Sequence, residues 1–274
     1  MSDKGAGAGH DKGPLLGRQV SGSAHYDPSL LFPVARVRAR STLPAGQSSA
    51  YGADVWHAYE LSWLNPVGMP EMHLGVLVVP ADSPNLVESK SLKLYLNSLN
   101  GHCFRDRDEA RQTIEGDLSL AAGAAVAFSV AAVEDSGFVG LDLAGDCLDA
   151  LRVTVPSLPE TNLLKGQAGD ARLYTHLMRS LCPVTAQPDW ATVVIETRGV
   201  SPSPEGLLAY LLAYRNHQEF HEQCVERIYA DLMAALSPAF LSVQAMYTRR
   251  GGLDICPWRC SEDLPAPQGR LNRQ

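Results

Sequence analysis

Much that would identify a protein at once is missing from this 274-residue chain. No apolar run approaches the ~18 residues that a membrane-spanning helix needs. The opening Met1-Ser2-Asp3-Lys4-Gly5 leads into a Gly-rich stretch without the apolar core of a secretory signal, so a cytoplasmic protein is expected. No strand-like run is followed by a Gly-x-Gly-x-x-Gly turn: Gly5, Gly7 and Gly9 sit near the N-terminus with nothing before them to form a strand. A phosphate-cradling Walker loop is absent, and so is any Cys-x-x-Cys pair for structural zinc. Basic residues are the minority, 23 Lys and Arg against 30 Asp and Glu, for a net charge of −7. That balance excludes a protein tracking a nucleic-acid backbone but leaves room for one basic pocket around a small phosphorylated molecule.

What is present is apolar: hydrophobic residues make up 45% of the chain, enough for a sizeable core. Six cysteines, Cys103, Cys147, Cys182, Cys224, Cys256 and Cys260, are sparse and irregularly spaced. In a reducing compartment each is a core residue, a ligand or a nucleophile. Cys256 and Cys260 stand alone as a Cys-x-x-x-Cys and read as structural.

Periodicity divides the chain. Residues 1–50 are rich in Gly, Ser, Ala and Pro, and read as a mobile lead followed by a covering arm. In 51–150, Val55, His57, Tyr59, Leu61 and Trp63 alternate as one strand face, and Leu74–Val79 makes a second strand. Ser83 or Asn85 would cap a helix carrying Leu92, Tyr95, Leu96 and Leu99. Asp106 opens another helix with Ala110, Ile114 and Leu118 inward, and strands follow at Ala125–Val130 and Phe138–Leu143. Residues 151–171 break the pattern and read as a linker. In 172–274 it restarts: strands at Leu173–Leu181 and Thr192–Thr197, helices at Pro204–Tyr214 and Glu219–Leu236, strands at Phe240–Thr248 and Leu253–Trp258. The expectation is an α+β fold of two ββααββ units, with antiparallel sheets and helices on one face.

Four segments hold candidate chemistry. Cys182, with Asp189 a short proline-flanked turn away, is either a thiolate nucleophile with its proton-transfer partner or a buried thiol beside a turn-forming Asp. His217 and His221, four apart, are a weak metal signal, and His221-Glu222 reads equally as a proton donor and ligand carboxylate or as an ordinary helix start. Glu88-Ser89-Lys90 opens a helix that would hold polar ligand groups and a phosphate, or merely a solvated charged face. Arg249-Arg250-Gly251-Gly252 is a hairpin turn or a phosphate clamp beside flexible glycines. No residue set is assigned to a metal.

Taken together, Tyr59–Leu64, Glu88–Ser98 with its Glu-Ser-Lys-Ser-x-Lys-x-Tyr opening, Cys182 with Gln187–Trp190, Phe220–Cys224 and Arg249–Gly252 resemble the NADPH-dependent 7-cyano-7-deazaguanine reductases, in their longer two-domain form. The resemblance implies tandem tunnelling-fold units binding purine-like rings, which allows NADPH chemistry without a Rossmann fingerprint. It implies that Cys182 attacks the nitrile carbon to form a thioimide, that Asp189 is the general acid/base, and that His221 transfers protons or packs on the substrate. By the same resemblance Glu88 and Glu222 accept hydrogen bonds from the ring, flanked by Val87 and Ser89. Ser89, Lys90, Arg250 and Gly251 take NADPH, and the assembly is a homodimer acting on a small molecule without nucleic acid or membrane. A Cys-dependent nitrile hydrolase and a pterin- or purine-binding protein of the same fold are the alternatives.

Overall fold

The computed structural model describes residues 25–44 and 51–274. The mobile lead expected of residues 1–20 lies outside the described residues. The described arm holds β1 (Pro33–Ala35) and α1 (Val37–Arg40). There follow β2 (Tyr51–Leu64), β3 (Pro70–Pro80), β4 (Asn85–Val87), α2 (Ser89–Ser98), α3 (Arg107–Ala122), β5 (Ala127–Ala131) and β6 (Asp146–Cys147). The remainder is β7 (Gly166–Ala168), β8 (Ala171–Leu181), β9 (Pro188–Arg198), β10 (Val200–Pro202), α4 (Pro204–Leu212), α5 (His221–Leu236), β11 (Phe240–Tyr247) and β12 (Leu253–Cys260).

Eight strands form one sheet in the order β5-β3-β2-β12-β11-β9-β8-β6, antiparallel except where β6 meets β8. The expected amphipathic stripes bury as predicted: Leu92, Tyr95 and Leu96 on α2, Ala110, Ile114 and Leu118 on α3, and Cys224, Ile228 and Leu232 on α5. They join Trp56, Leu61, Val193 and Ile255 of the strands in one core, so the fold is mixed α+β with its helices on one sheet face. The opposite face carries a smaller cluster of Val55, Val194, Met246 and Cys256, covered by Leu271 near the C-terminus.

Both halves run through similar steps. A three-residue pair, β1 with β4 or β7 with β10, precedes the helices. Strands β8, β9, β11 and β12 neighbour one another in reverse sequence order, and so do β2, β3 and β5. The expected fourth strand at Phe138–Leu143 does not form. Ser136–Phe138 is a 3₁₀ turn, and Leu141 N–H donates to Arg270 O at 2.8 Å, so this glycine-interrupted segment pairs with the chain's end. Instead β12 pairs over its whole length with Tyr51–Ala58 of β2 and fuses the halves.

The expected alternation in β2 also needs correction. Ala58 faces Gly75 and Leu61 faces His73, so β2 advances three residues while β3 advances two. This bulge switches the inward parity. Trp56 and Ala58 before it, and Leu61 and Trp63 after it, pack under the helices, whereas Val55 lies on the other face. The same bulge recurs in β8, where Thr175 faces Val193 and Met178 faces Ala191. It sets Met178, Ser180 and Cys182 on one parity, beneath the helices.

A buried charge network crosses the junction. Asp54 of β2 accepts from Arg36 at 2.5 Å and from Arg259 of β12 at 2.8 Å. Glu226 of α5 accepts from Arg259 at 2.9 Å and from Arg40 of α1 at 2.7 Å. Arg36, Asp54 and Arg259 are each at most 2% exposed. Removing one partner strands a buried charge, so Asp54→Ala is expected to lower stability by about 3–5 kcal/mol, read from urea unfolding.

Candidate active site

The hairpin of β8 and β9 brings Cys182 and Asp189 to the same strand ends: Leu181 faces Pro188, and Cys182 N–H donates to Gln187 O at 2.9 Å. Asp189 shares its parity with Ala191, Val193 and Ile195, so both side chains lie on the helical face. His221 is the first residue of α5, whose start is fixed by Phe220 N–H donating to Gln223 Oε1 at 3.2 Å. The His221 ring stacks on Tyr247 at 3.9 Å between centroids and places Nε2 3.1 Å from Asp189 Oδ2. Asp189 is also paired with Arg250 of the β11–β12 turn. Burial raises the Asp189 carboxyl, but its interactions with His221 and Arg250 outweigh it and hold the group below its ordinary range.

A small cavity beneath α5 is lined by Val87, Ser89, Cys182, Asp189, His221, Glu222 and Arg250. Next to it a cavity of about 170 Å³ shares Cys182 and His221 and adds Lys90, Lys93 and Gly251. A cleft of about 360 Å³ continues from Lys93 and Gly251 to Glu60 and Asn97. Of the site residues expected from the sequence, only Glu88 does not line these spaces. Its carboxylate is wholly buried and caps α2, accepting from Lys90 N–H at 2.9 Å and Ser91 N–H at 2.7 Å. Ser83 and Asn85, the caps expected from the sequence, do not serve. Each Glu88 oxygen accepts one of these bonds and keeps capacity for another.

Glu222 differs again. Burial, reinforced by the nearby Asp54 charge, pushes its carboxyl up to about 8, while Arg36 and Arg259 pull the other way. Near neutrality it carries a proton and can donate as well as accept. His217, whose spacing from His221 is only a weak metal signal, pairs with Glu219 at 2.9 Å outside the helix.

The sequence reading missed Trp56, whose place under the helices only the bulge reveals, and also Lys93 and Glu60, which approach to 4.0 Å at the cleft. Gly251 has φ +59°, and a side chain there would lie 2.8 Å from Lys93 Nζ. A bare backbone beside Lys90, Lys93 and Arg250 suits a phosphate-bearing nucleotide cofactor, with Ser89 at the positive end of α2.

A buried thiol, an ion-paired carboxylate and a cation-lined cleft side by side form a setting that suits a cofactor-using enzyme. Family models described as "Nitrile reductase, 7-cyano-7-deazaguanine-reductase N-term" and "QueF-like protein" match residues 23–130 and 188–266. An NADPH-dependent 7-cyano-7-deazaguanine reductase of Teredinibacter turnerae is 50% identical over 90% of this chain and 91% of its own. One of Acinetobacter baumannii (strain AYE) is 46% identical over 95% and 98%. The chain belongs to the NADPH-dependent 7-cyano-7-deazaguanine reductase family. A solved archaeosine synthase QueF-Like, in its apo form, aligns 36% of this chain with 99% of its own, at 23% identity and TM-score 0.33, too slight a likeness to carry an argument.

The raised Glu222 carboxyl has a measurable consequence. Between pH 4.5 and about 8 the folded chain retains a proton that the unfolded chain has released, so this group takes stability away as pH rises through that window. Glu222→Gln is expected to remove the penalty, its stability advantage growing across the same window in urea midpoints.

Proposed function

We propose that the family's reaction proceeds here through a covalent thioimide on Cys182. The chain is an NADPH-dependent oxidoreductase converting the nitrile of 7-cyano-7-deazaguanine to the aminomethyl group in queuosine biosynthesis. The observation that carries the reading is the convergence of Cys182, Asp189, His221, Glu222 and Ser89 on one cavity.

The Cys182 sulfur adds to the nitrile carbon as the thiol proton is lost, and the nitrile nitrogen takes up a proton. Asp189, held as a carboxylate by His221 and Arg250, is the base in the first move. His221, stacked on Tyr247 and hydrogen-bonded to Asp189, passes the proton on to nitrogen. Bound NADPH supplies the hydrides, two per nitrile. Ser89, Lys90, Arg250 and Gly251 hold it, with Lys93 at the same cleft. Glu222, protonated near neutrality, and Glu88, behind the wall formed by Val87 and Ser89, complement the ring's donors and acceptors. Their carboxyl oxygens suit adjacent ring N–H groups. Recruiting Glu88 for the ring calls on the acceptor capacity left after helix capping.

The architecture behind this reading is two tandem tunnelling-fold units, residues 51–150 and 172–274, joined by a linker at 151–171 and preceded by an arm at 1–50. The repeated strand order and matching bulges support it. Among the described residues no helix is long and apolar enough to cross a membrane, which accords with action in the cytoplasm. Pairing of open sheet edges favours a homodimer acting on a small molecule, without nucleic acid.

Intact-mass measurement after incubation with 7-cyano-7-deazaguanine tests the mechanism. A gain of one substrate mass is expected without NADPH, discharged when NADPH is added and absent from Cys182→Ala. A gain persisting in Cys182→Ala would overturn the assignment. Asp189→Asn should form the adduct about 100- to 10,000-fold more slowly.

A further inference from the structure

We propose that Cys147, Asp149 and His176 form a zinc-binding site, separate from the active-site cavities, that fastens the connecting chain to strand β8. The three side chains come from different places. Cys147 ends β6, Asp149 follows two residues later, and His176 sits in the β8 bulge. Parallel pairing sets Cys147 opposite Tyr174, and the ligand atoms of all three residues lie within 4.8 Å of one another.

Two of the three side chains are already held in place by hydrogen bonds. His176 Nδ1 lies 2.8 Å from the hydroxyl of fully buried Thr192. A proton on Nδ1 directed at that oxygen leaves the Nε2 lone pair to bind an ion. Asp149 Oδ1 accepts from Thr175 Oγ1 at 2.6 Å and from His176 N–H at 3.1 Å, which fixes the carboxylate. Cys147 is exposed, so an ion can enter and a fourth ligand can come from solvent. A thiolate, an imidazole and a carboxylate with one open place are the donors that Zn²⁺ takes in tetrahedral geometry.

A second trio, His57, Asp254 and Cys256, is equally close but is spent on internal bonds. Both His57 nitrogens have partners, Asp254 at 2.6 Å and Gln268 O at 3.0 Å, and Cys256 accepts from Gln274 at 3.1 Å. At Cys147 the thiol proton leaves to solvent as the sulfur–zinc bond forms, with no change of oxidation state, so binding tightens as pH rises.

The test uses the chelator-stripped full chain titrated with Co²⁺ as a coloured substitute for zinc. One equivalent should give a thiolate-to-cobalt charge-transfer band, bleached by one equivalent of Zn²⁺. The band should persist in Cys182→Ala and Cys103→Ser and vanish in Cys147→Ser and His176→Gln. Thr192→Val, keeping the shape but losing the hydroxyl, should bind about 10- to 100-fold more weakly. Absence of the band, or its survival in Cys147→Ser, overturns the site.

Discussion

The arrangement depends above all on the desolvated charges gathered where β2, β12, α5 and the arm meet. Asp54 and Glu226 share Arg259, with Arg36 and Arg40 completing the set from the arm. Buried ions of this kind add little net stability over an apolar core, but they tolerate few alternative arrangements, since any misplacement leaves a charge unpaired. Arg259 therefore fixes the register of β12 on β2, and Glu226 fixes α5 above it. Glu222 lies one turn before Glu226 on the same helix, so the network that joins the halves also places the carboxyl that lines the cavity beneath α5.

Three acidic residues around that cavity show how environment divides one side-chain chemistry into distinct states. Asp189 faces His221 and Arg250, which lower its proton affinity, and stays ionised. Glu222 is buried near another negative charge and holds its proton. Glu88 is committed to a helix start, where backbone N–H groups meet both its oxygens. A site that moves protons in several steps gains from groups whose affinities for protons are pushed apart.

Much of this was legible in the sequence, and the gaps have physical causes. Helical stripes such as Ala110-Ile114-Leu118 were read correctly because one face of a 3.6-residue period is buried throughout. Cys182 and Asp189 were placed together because a short turn leaves their strands little choice. The alternation of β2 failed across one bulge, an extra residue that no pattern of apolar positions announces. Glu88 was read as a ring acceptor and its capping of α2 went unread, since a carboxylate serves either purpose and only the backbone geometry shows the cap. Phe138–Leu143 has the apolar content of a strand, yet it pairs with the chain's end through Leu141 and Arg270 rather than with the sheet edge. The charge network was invisible because Arg36, Asp54, Glu226 and Arg259 are isolated charges far apart along the chain.

The pairing of β12 with β2 also bears on how the protein is made. Arg259 and Asp54, which bond across that seam, are 205 residues apart in the chain. During synthesis the first half emerges with the Tyr51–Ala58 flank of β2 unoccupied and Asp54 lacking one of its guanidinium partners. Both defects persist until the final strand leaves the ribosome. Closure over so long a separation is slow compared with local hairpin formation, and an open strand flank is a point of self-association while it lasts. The nascent chain thus passes through a stage in which most helices and hairpins can form, while the seam that orders the cavity beneath α5 waits for the last strand.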